Sequence, residues 1–466
     1  MQEIGLYGLG TMGSALALNL AEHSVNVVVS NRETEWIGPF LGEAGALADR
    51  ISGVDTLEGL VAQLAPPRAI LFMIPSGAPM DAMLDQVTPL LQAGDTVIDA
   101  GNADFNDTRA RALKLQAKGV NFVGMGVSGG EDGARNGPSM MVGGTPEGWA
   151  RIKPMVEAIA ARFQGDSCVA HVGPDGAGHF VKTVHNGIEY ADMQMISEVY
   201  GLLRDGGDWP AQRIGKLFET WSRGPLQSFL IEASAAVLTQ DDPDTGAPAV
   251  DVIRDSAGQK GTGRWTVIEA LKLGQSANTI EAAVGARGWS SEGQTRAQAA
   301  NSFGNRDLAV SLPEEEQLEQ ALIAARIIAH AQGFRVLSAA SDEYAWELDL
   351  ARIAEIWRAG CIIRSRLLDD LATALRAGPP QGHLILSPEL SERLQSTIPA
   401  LRATVVAAFQ AGLPVPALSA ALNWFDTMRQ ARGTANLIQA QRDFFGAHGF
   451  ERLDQTGKFH GPWHKR

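Results

Sequence analysis

Cysteine is almost absent from this 466-residue chain, which carries only Cys168 and Cys361. Two cysteines supply neither a disulfide framework nor a zinc ligand set, and they fit a reducing cytoplasm. Apolar runs long enough to cross a bilayer are also lacking. The chain enters a strand pattern directly after its first residues, so we expect no signal or transit peptide. These absences predict a cytoplasmic protein with no membrane-spanning segment.

Basic residues are also fewer than acidic ones. The chain has 39 Lys and Arg residues and 53 Asp and Glu residues, which gives a formal net charge of −14. This balance argues against general binding to nucleic acid or to a membrane surface. An anionic small-molecule substrate stays open, provided that local Arg and Lys side chains hold it. The length predicts roughly three domains.

The chain divides into three parts by pattern. Residues 1–177 alternate strand and helix patterns, which predicts a doubly wound parallel sheet. Residues 178–433 change to long helical periods and predict a large all-helical domain. The aromatic-rich residues 434–466 are unlike a free tail, and we expect them to dock on the protein's own body or on a partner subunit. Buried strands are expected near 3–8, 25–30, 69–74, 96–100 and 122–125, and helices at 178–206, 211–222, 226–239, 263–273, 313–332, 345–357, 399–411 and 415–431.

A glycine-rich loop marks a candidate cofactor site. Gly8, Gly10 and Gly13 lie between the first predicted strand and the first helix, the context that the dinucleotide fingerprint requires. The pyrophosphate would rest on the helix N-terminus, although a purely structural turn is the alternative. Arg32, at the end of the second strand, accommodates the 2′-phosphate of NADP, whereas the nearby Glu33 repels it. We therefore predict NADP, with NAD as the alternative cofactor.

A polar stripe marks a candidate catalytic helix. Its members share one face of the helix predicted at 178–206, and they are Lys182, His185, Asn186, Glu189 and Tyr190. An amine, an imidazole, an amide, a carboxyl and a phenol in one row supply a base, an acid and hydrogen bonds to one polyhydroxylated substrate. The alternative is an ordinary helix face that is solvated.

Glycine-rich loops and basic side chains add candidate anion contacts. The loop at 126–135 follows a strand, and its backbone amides suit a carboxylate or a phosphate. The loop at 258–263 resembles a second anion cradle. On its own, each basic candidate is better explained as a surface residue than as a site; these candidates are Lys260, Arg287, Arg442 and His448. We find no clustered carboxylate or His ligand set, so no metal site is predicted.

Taken together, the motifs resemble the 6-phosphogluconate dehydrogenase family, the decarboxylating enzymes of the pentose phosphate pathway. The resemblance extends essentially from end to end. It implies a Rossmann-type cofactor domain, a large helical domain, and a C-terminal tail that threads into the other subunit of a homodimer. The blocks that carry it are, in chain order, GLYGLGTMG, SNR, GNADFNDT, GVSGGEDGARNGPSMM, GHFVKTVHNGIEYADMQ, SAGQKGTGRWT and RDFFGAHGFERLD.

The resemblance also implies residue roles. Lys182 matches the base on the carbon-3 hydroxyl of the substrate, and Glu189 matches the acid that protonates carbon 1 of the product, ribulose 5-phosphate, after decarboxylation. These roles require a lowered pKa for Lys182 and a raised pKa for Glu189. Matches to substrate contacts are Asn102, Ser128, Gly129, Gly130, His185 and Asn186. Matches to the phosphate site are Tyr190, Lys260, Thr262 and Arg287, joined by Arg442 and His448 from the partner subunit. Matches to cofactor contacts are Gly8, Leu9, Gly10, Thr11, Met12, Gly13, Asn31, Arg32, Glu33, Ile74, Pro75, Ser76 and Asn102.

Two departures from the family pattern lie near the cofactor loop. Glu33 replaces a usual Thr and Ile37 a usual Lys, which weakens the expected selectivity for NADP. Two rival functions stay open. A β-hydroxyacid dehydrogenase for a shorter or unphosphorylated acid would lack the extended helical domain. A non-catalytic cofactor-binding protein would be expected to have lost Lys182 or Glu189.

Overall fold

The protein is built from an N-terminal sheet covered by helices, followed by a long series of helices. The computed structural model describes residues 2–259, 261–304 and 312–463. Within these ranges the strands are β1 (Ile4–Tyr7), β2 (Val27–Ser30), β3 (Ile51–Gly53), β4 (Ala69–Phe72), β5 (Thr96–Asp99), β6 (Asn121–Ser128), β7 (Ser139–Gly143), β8 (Arg162–Phe163), β9 (Asp166–Ser167), β10 (Val169–Gly173), β11 (Phe450–Glu451) and β12 (Lys458–Phe459).

Helices account for most of the remaining structure. Those that accompany the sheet are α1 (Thr11–Glu22), α2 (Ile37–Glu43), α3 (Leu57–Ala62), α4 (Ala78–Val87), α5 (Phe105–Gln116), α6 (Gly130–Asn136) and α7 (Pro146–Ile159). Those that follow are α8 (Ala177–Gly201), α9 (Ala211–Trp221), α10 (Phe229–Leu238), α11 (Ala249–Val252), α12 (Thr262–Lys272), α13 (Asn278–Ser290), α14 (Gly293–Phe303), α15 (Glu315–Tyr344), α16 (Leu350–Ile356), α17 (Arg366–Arg376), α18 (Pro388–Gln410), α19 (Pro416–Met428) and α20 (Ala435–Gly446). No helix of the described residues is long and apolar enough to span a membrane.

The main sheet has the strand order β3-β2-β1-β4-β5-β6-β7-β10. From β3 to β6 the strands are parallel, as predicted, and alternate residues such as Val27 and Val28 pack into the separate cores on the two faces. At the far edge lies β7, a strand that was not predicted, and it runs antiparallel to β6. Residues 129–138, which hold only the short helix α6, connect the two strands. This connection is shorter than the dozen or more residues that a parallel crossover needs.

The helical part of the chain is organised around α8. Helices α12, α13 and α15 pack against it, and strands β6 and β7 pack against it from the sheet. Helix α15 runs twelve residues beyond the predicted end at 332, to Tyr344. The predicted helix at 345–357 is reduced to α16, because Ala345 and Glu347 adopt the left-handed conformation that interrupts a helix. Helices α11, α13, α14, α17 and α20 were not predicted.

Residues 434–463, called the tail below, form α20 and the small hairpin of β11 and β12. The tail leaves several large apolar side chains exposed, among them Leu437, Ile438, Phe444, Phe445 and Leu453. Exposed apolar side chains at this density are typical of a surface that another chain covers.

Candidate active site

The candidate catalytic side chains of α8 lie in the protein interior. Lys182 is 6% exposed, His185 0% and Asn186 9%, and the Glu189 side chain keeps 20% of its surface. The alternative of an ordinary solvated face is therefore wrong. Tertiary packing is the reason: a Cβ atom added to Gly126 of β6 would lie 2.4 Å from Lys182 Cβ, so the strand and the helix are in direct contact.

Hydrogen bonds join this row to two other elements. Lys182 Nζ donates to Asn186 Oδ1 over 2.7 Å and lies 3.4 Å from His185 Nδ1. Asn186 Nδ2 donates to Thr262 Oγ1 at the start of α12, at 3.0 Å. His185 Nε2 lies 3.2 Å from Ser128 Oγ at the end of β6. Residues from β6 and α12 are therefore linked to the amine of Lys182 through His185 and Asn186.

Burial shifts the proton affinities of this row in the directions that the base and acid roles need. Burial lowers the pKa of Lys182 below its ordinary value, and the nearby Glu189 offsets this only in part. Burial likewise raises the pKa of Glu189 against the opposing effects of Lys182 and Arg287. The pKa of His185 falls well below its usual range because the ring is buried beside Lys182. A neutral amine and a protonated carboxyl are therefore both accessible on one helix, about two turns apart.

The Ser128-Gly129-Gly130 segment lies beside the row, where β6 ends and α6 begins. Gly129 has a φ of +123°, and a Cβ atom there would lie 2.5 Å from the carbonyl oxygen of Gly360. The rings of Trp357 and His185 also meet at nearly a right angle, with centroids 5.4 Å apart. Residues 357–360 were not predicted as part of the site, because nothing in their sequence indicates that this segment packs beside the end of β6.

Three of the predicted phosphate-site residues lie together next to this row. The guanidinium of Arg287 lies 3.5 Å from the centre of the Tyr190 ring, and its Nη1 donates to the carbonyl of Gly258 over 3.1 Å. Thr262, 4% exposed, begins α12. Lys260 lies outside the described residues.

The two other predicted phosphate contacts, Arg442 and His448, lie in the tail. The contacts that the structure gives them are within the tail itself: Arg442 Nη1 donates to Gln439 Oε1 at 3.1 Å, and the His448 ring faces Phe445 at 6.3 Å. Both side chains are exposed in this single chain. Their position fits residues that act across an interface between subunits.

The predicted cofactor loop has the backbone geometry that a dinucleotide needs. Gly8 has a φ of +109°, and a Cβ atom on Gly13 would lie 1.8 Å from the Gly8 carbonyl oxygen, so neither position tolerates a side chain. A Cβ atom on Gly10 would meet no described atom within 4 Å. Thr11 and Met12 form the first turn of α1, which no side chain of the described residues caps. An open loop at an uncapped helix N-terminus suits a pyrophosphate.

At the end of β2, the Asn31 side chain hydrogen-bonds to this loop, and the Glu33 side chain pairs with Arg32. Asn31 Oδ1 accepts a hydrogen bond from Leu9 N over 2.8 Å, and Asn31 Nδ2 donates to the Glu33 carbonyl at 3.1 Å. Arg32, whose side chain is 84% exposed, donates from Nε to Glu33 Oε1 over 2.7 Å. The cation predicted to meet a 2′-phosphate is therefore paired with Glu33 in this structure.

The remaining predicted cofactor residues lie at the carboxyl edge of the sheet, Ile74, Pro75 and Ser76 after β4 and Asn102 after β5. A network that was not predicted ties these two loops together. Buried Arg111 donates from Nη2 to the Gly77 carbonyl at 3.1 Å and from Nε to Asp81 at 2.7 Å, and its Nη1 lies 3.5 Å from Asp99 Oδ2. No group of three His, Cys, Asp or Glu residues within the described ranges is arranged to hold a metal ion.

The two family models that match the chain cover nearly all of it. Residues 3–173 match the NAD binding domain of 6-phosphogluconate dehydrogenase, and residues 178–463 match the C-terminal domain of 6-phosphogluconate dehydrogenase. The chain belongs to the 6-phosphogluconate dehydrogenase family. The resemblance inferred from the sequence blocks is thereby confirmed, together with the fold class of a Rossmann-type domain followed by a largely helical one.

Individual relatives agree with this assignment over their full length. The decarboxylating 6-phosphogluconate dehydrogenase of Synechococcus elongatus is 44% identical over 99% of each chain. The NADP(+)-dependent, decarboxylating enzyme of Bacillus subtilis is 42% identical and covers 100% of this chain and 99% of its own. The solved 6-phosphogluconate dehydrogenase of Plasmodium falciparum has a TM-score of 0.95 at 37% identity, over 99% of this chain and 100% of that one. That enzyme was solved in its apo form, with NADP+ and with 6-phosphogluconate.

Proposed function

We propose that the protein oxidises 6-phosphogluconate at carbon 3 with NADP and decarboxylates the resulting β-keto acid to ribulose 5-phosphate. One observation carries the proposal: Lys182 and Glu189 lie on one face of a buried helix, with pKa values shifted towards a neutral base and a protonated acid. Both rival functions are disfavoured. The extended helical domain that a shorter β-hydroxyacid dehydrogenase lacks is present, and so are both groups that a non-catalytic protein would be expected to lose.

The base step belongs to Lys182. Its neutral amine accepts the proton of the carbon-3 hydroxyl, while Asn186 Oδ1, 2.7 Å away, orients the amine. NADP, when bound, supplies the hydride acceptor for carbon 3. Ser128 and His185, which contact each other at 3.2 Å, are placed to hydrogen-bond the hydroxyl groups of the substrate.

The acid step belongs to Glu189. A β-keto acid loses carbon dioxide readily once its developing enolate oxygen is stabilised, and Lys182, now carrying the proton taken from that oxygen in the first step, donates a hydrogen bond to it. Glu189 then donates its proton to the carbon that carried the lost carboxylate, which is carbon 2 of 6-phosphogluconate and becomes carbon 1 of ribulose 5-phosphate. Its raised pKa keeps the carboxyl protonated at a higher pH than an exposed Glu would allow.

We assign the substrate phosphate to the cluster of Tyr190, Thr262 and Arg287, with Lys260 from the adjacent loop. Arg287 lies against Tyr190 and is held by the Gly258 carbonyl, so its guanidinium is pre-oriented. The other phosphate ligands of this proposal are the partner subunit's Arg442 and the partner subunit's His448. The exposed apolar side chains of the tail support a homodimer in which each tail completes the other subunit's site.

NADP is held, in this proposal, by the Gly8–Gly13 loop and the end of β2. Glu33 weakens the binding of the 2′-phosphate, because its carboxylate already accepts a hydrogen bond from Arg32. The division into a cofactor domain at 1–177, a helical domain at 178–433 and a tail at 434–466 stays a prediction, and so does the cytoplasmic location.

The direct test uses purified protein with NADP and either 6-phosphogluconate or gluconate. We expect NADPH formation with 6-phosphogluconate and little with gluconate, because the phosphate cluster has no partner on gluconate. Turnover of gluconate at an equal kcat/KM would refute the phosphate assignment.

A second test removes residues 434–466 and measures activity together with sedimentation. We expect the dimer to weaken and turnover of 6-phosphogluconate to be lost, because Arg442 and His448 leave with the tail. A truncated protein with full activity would contradict the role of the tail in the partner's site.

A further inference from the structure

The tail contains a buried carboxylate that the proposed reaction does not use. Asp443 is 0% exposed, and it is the one residue of α20 that is buried. The other buried residues among 434–463 are Gly449 and Gly461. Because no large apolar side chain is buried within the described tail, its interior centre is a charged group rather than a hydrophobic core.

Donors from two separate stretches of the tail, at residue 449 and at residues 460–463, converge on this carboxylate. Asp443 Oδ1 accepts from Gly449 N at 2.8 Å and lies 2.6 Å from His460 Nδ1. Its Oδ2 accepts from Gly461 N at 2.8 Å and from Trp463 Nε1 at 2.9 Å. Burial alone would raise the pKa of Asp443, but these hydrogen bonds hold it below its ordinary value. The group is therefore an acceptor on both oxygens at neutral pH.

The hub formed by Asp443 and these donors determines where Arg442 and His448 lie. Arg442 directly precedes Asp443, and His448 directly precedes Gly449, so the Asp443–Gly449 hydrogen bond closes the turn that separates them. Gln439 adds a second link, because its Nε2 donates to the Gly449 carbonyl at 2.5 Å while its Oε1 accepts from Arg442. Gly449 itself has a φ of +73°, a conformation that favours glycine.

We propose that Asp443 is a positioning residue for substrate binding, because its hydrogen bonds fix the relative placement of Arg442 and His448 before the tail meets the phosphate of a substrate bound by the other subunit. This inference rests on the proposed function, which places those two side chains in the partner's site. Preorganisation of this kind matters because a displacement of about 1 Å in a binding group costs up to about a hundredfold in rate or affinity.

The test is Asp443→Asn in the full-length protein, with 6-phosphogluconate as the varied substrate. The substitution keeps the shape but replaces one acceptor oxygen by an NH2 group that faces N–H donors. We expect the KM for 6-phosphogluconate to rise about tenfold or more, while kcat stays within about threefold and the Kd for NADPH is unchanged. Asp454→Asn is the matched control, because Asp454 is an exposed tail carboxylate paired with Arg452, and it should leave KM unchanged.

The variant Arg442→Ala distinguishes a failure of the positioning role from a failure of the proposed function. If it raises KM and Asp443→Asn does not, the positioning role is refuted and the proposed function stands. If Arg442→Ala leaves KM unchanged, the tail's place in the substrate site is refuted, and the positioning role falls with it. Should Asp443→Asn fail to fold, Trp463→Phe removes a single donor and should still raise KM by about threefold; an unchanged KM in that variant would also refute the role.

Discussion

Lys182→Met isolates the proposed base with little disturbance of the fold. Methionine has a similar length and no charge, so the buried position keeps its packing. The hydrogen bond from Lys182 to Asn186 is lost, but the Asn186 side chain keeps its contacts with His185 Nδ1 at 3.1 Å and with Thr262 Oγ1 at 3.0 Å. Removing a buried amine also removes its desolvation cost, so we expect the free energy of unfolding to change by no more than about 1 kcal/mol.

The effect on catalysis should be much larger than the effect on stability. A positioned general base contributes about 10²- to 10⁴-fold to the rate, which corresponds to about 3–5 kcal/mol of barrier. We therefore expect kcat to fall by at least a hundredfold at saturating substrate and NADP. The Kd for NADPH should not change, since the loop at Gly8–Gly13 belongs to another part of the fold.

The assay is NADPH formation together with a binding titration and a denaturant melt. Lys153→Met is the matched control, because the Lys153 side chain is 49% exposed and lies 3.8 Å from Glu157 on a surface helix. It should leave kcat and NADPH binding unaltered. A Lys182→Met enzyme that keeps more than a tenth of the wild-type kcat would remove Lys182 as the base.

Three further substitutions test neighbouring parts of the account. Glu189→Gln should lower kcat. It should also abolish the decrease of kcat/KM at high pH, because the raised pKa of Glu189 assigns that decrease to deprotonation of this carboxyl. A decrease that persists in the variant would have to come from another group. Glu33→Thr should tighten NADP binding several-fold relative to NAD, since it frees Arg32, and equal changes in both Kd values would contradict this reading. Gly129→Ala should destabilise the protein by about 1–3 kcal/mol and reduce kcat/KM, because its φ of +123° and the 2.5 Å approach to the Gly360 oxygen leave no room for a methyl group; a denaturant midpoint equal to wild type would rule out the close packing.

Local periodicity was enough to predict the catalytic stripe. Lys182 and Glu189 share a helix face because helical spacing alone places them there, and the parallel strands of the cofactor domain follow from continuous apolar runs bounded by glycine. The burial of most of α8 could not be predicted in this way. It results from α12, α13 and α15 packing around the helix, and these contacts are distant in sequence.

The elements that were missed share a dependence on tertiary context. Strand β7 reads as an apolar run, but its direction depends on how short the connection from β6 is. Helices α13 and α14 have weak apolar stripes, because small and polar residues dominate both. The pairing of Arg32 with Glu33 and the donors around Asp443 depend on side-chain placement, which hydrophobic patterns do not report.

The ionisation states of Lys182 and Glu189 are coupled to each other. Each group favours the ionised form of the other, while burial opposes ionisation of both. Binding of a substrate that excludes more water would strengthen the effect of burial. The protonated carboxyl of Glu189 should therefore become more populated in the complex than in the free enzyme.

The most direct test of the central claim follows the fate of carbon 1. 6-Phosphogluconate labelled at that carbon is incubated with the protein and NADP, and the released labelled carbon dioxide is measured alongside NADPH. We predict equal amounts of the two, with all of the label lost from the sugar phosphate product. NADPH formation with the label retained in the product would contradict oxidation at carbon 3 followed by decarboxylation.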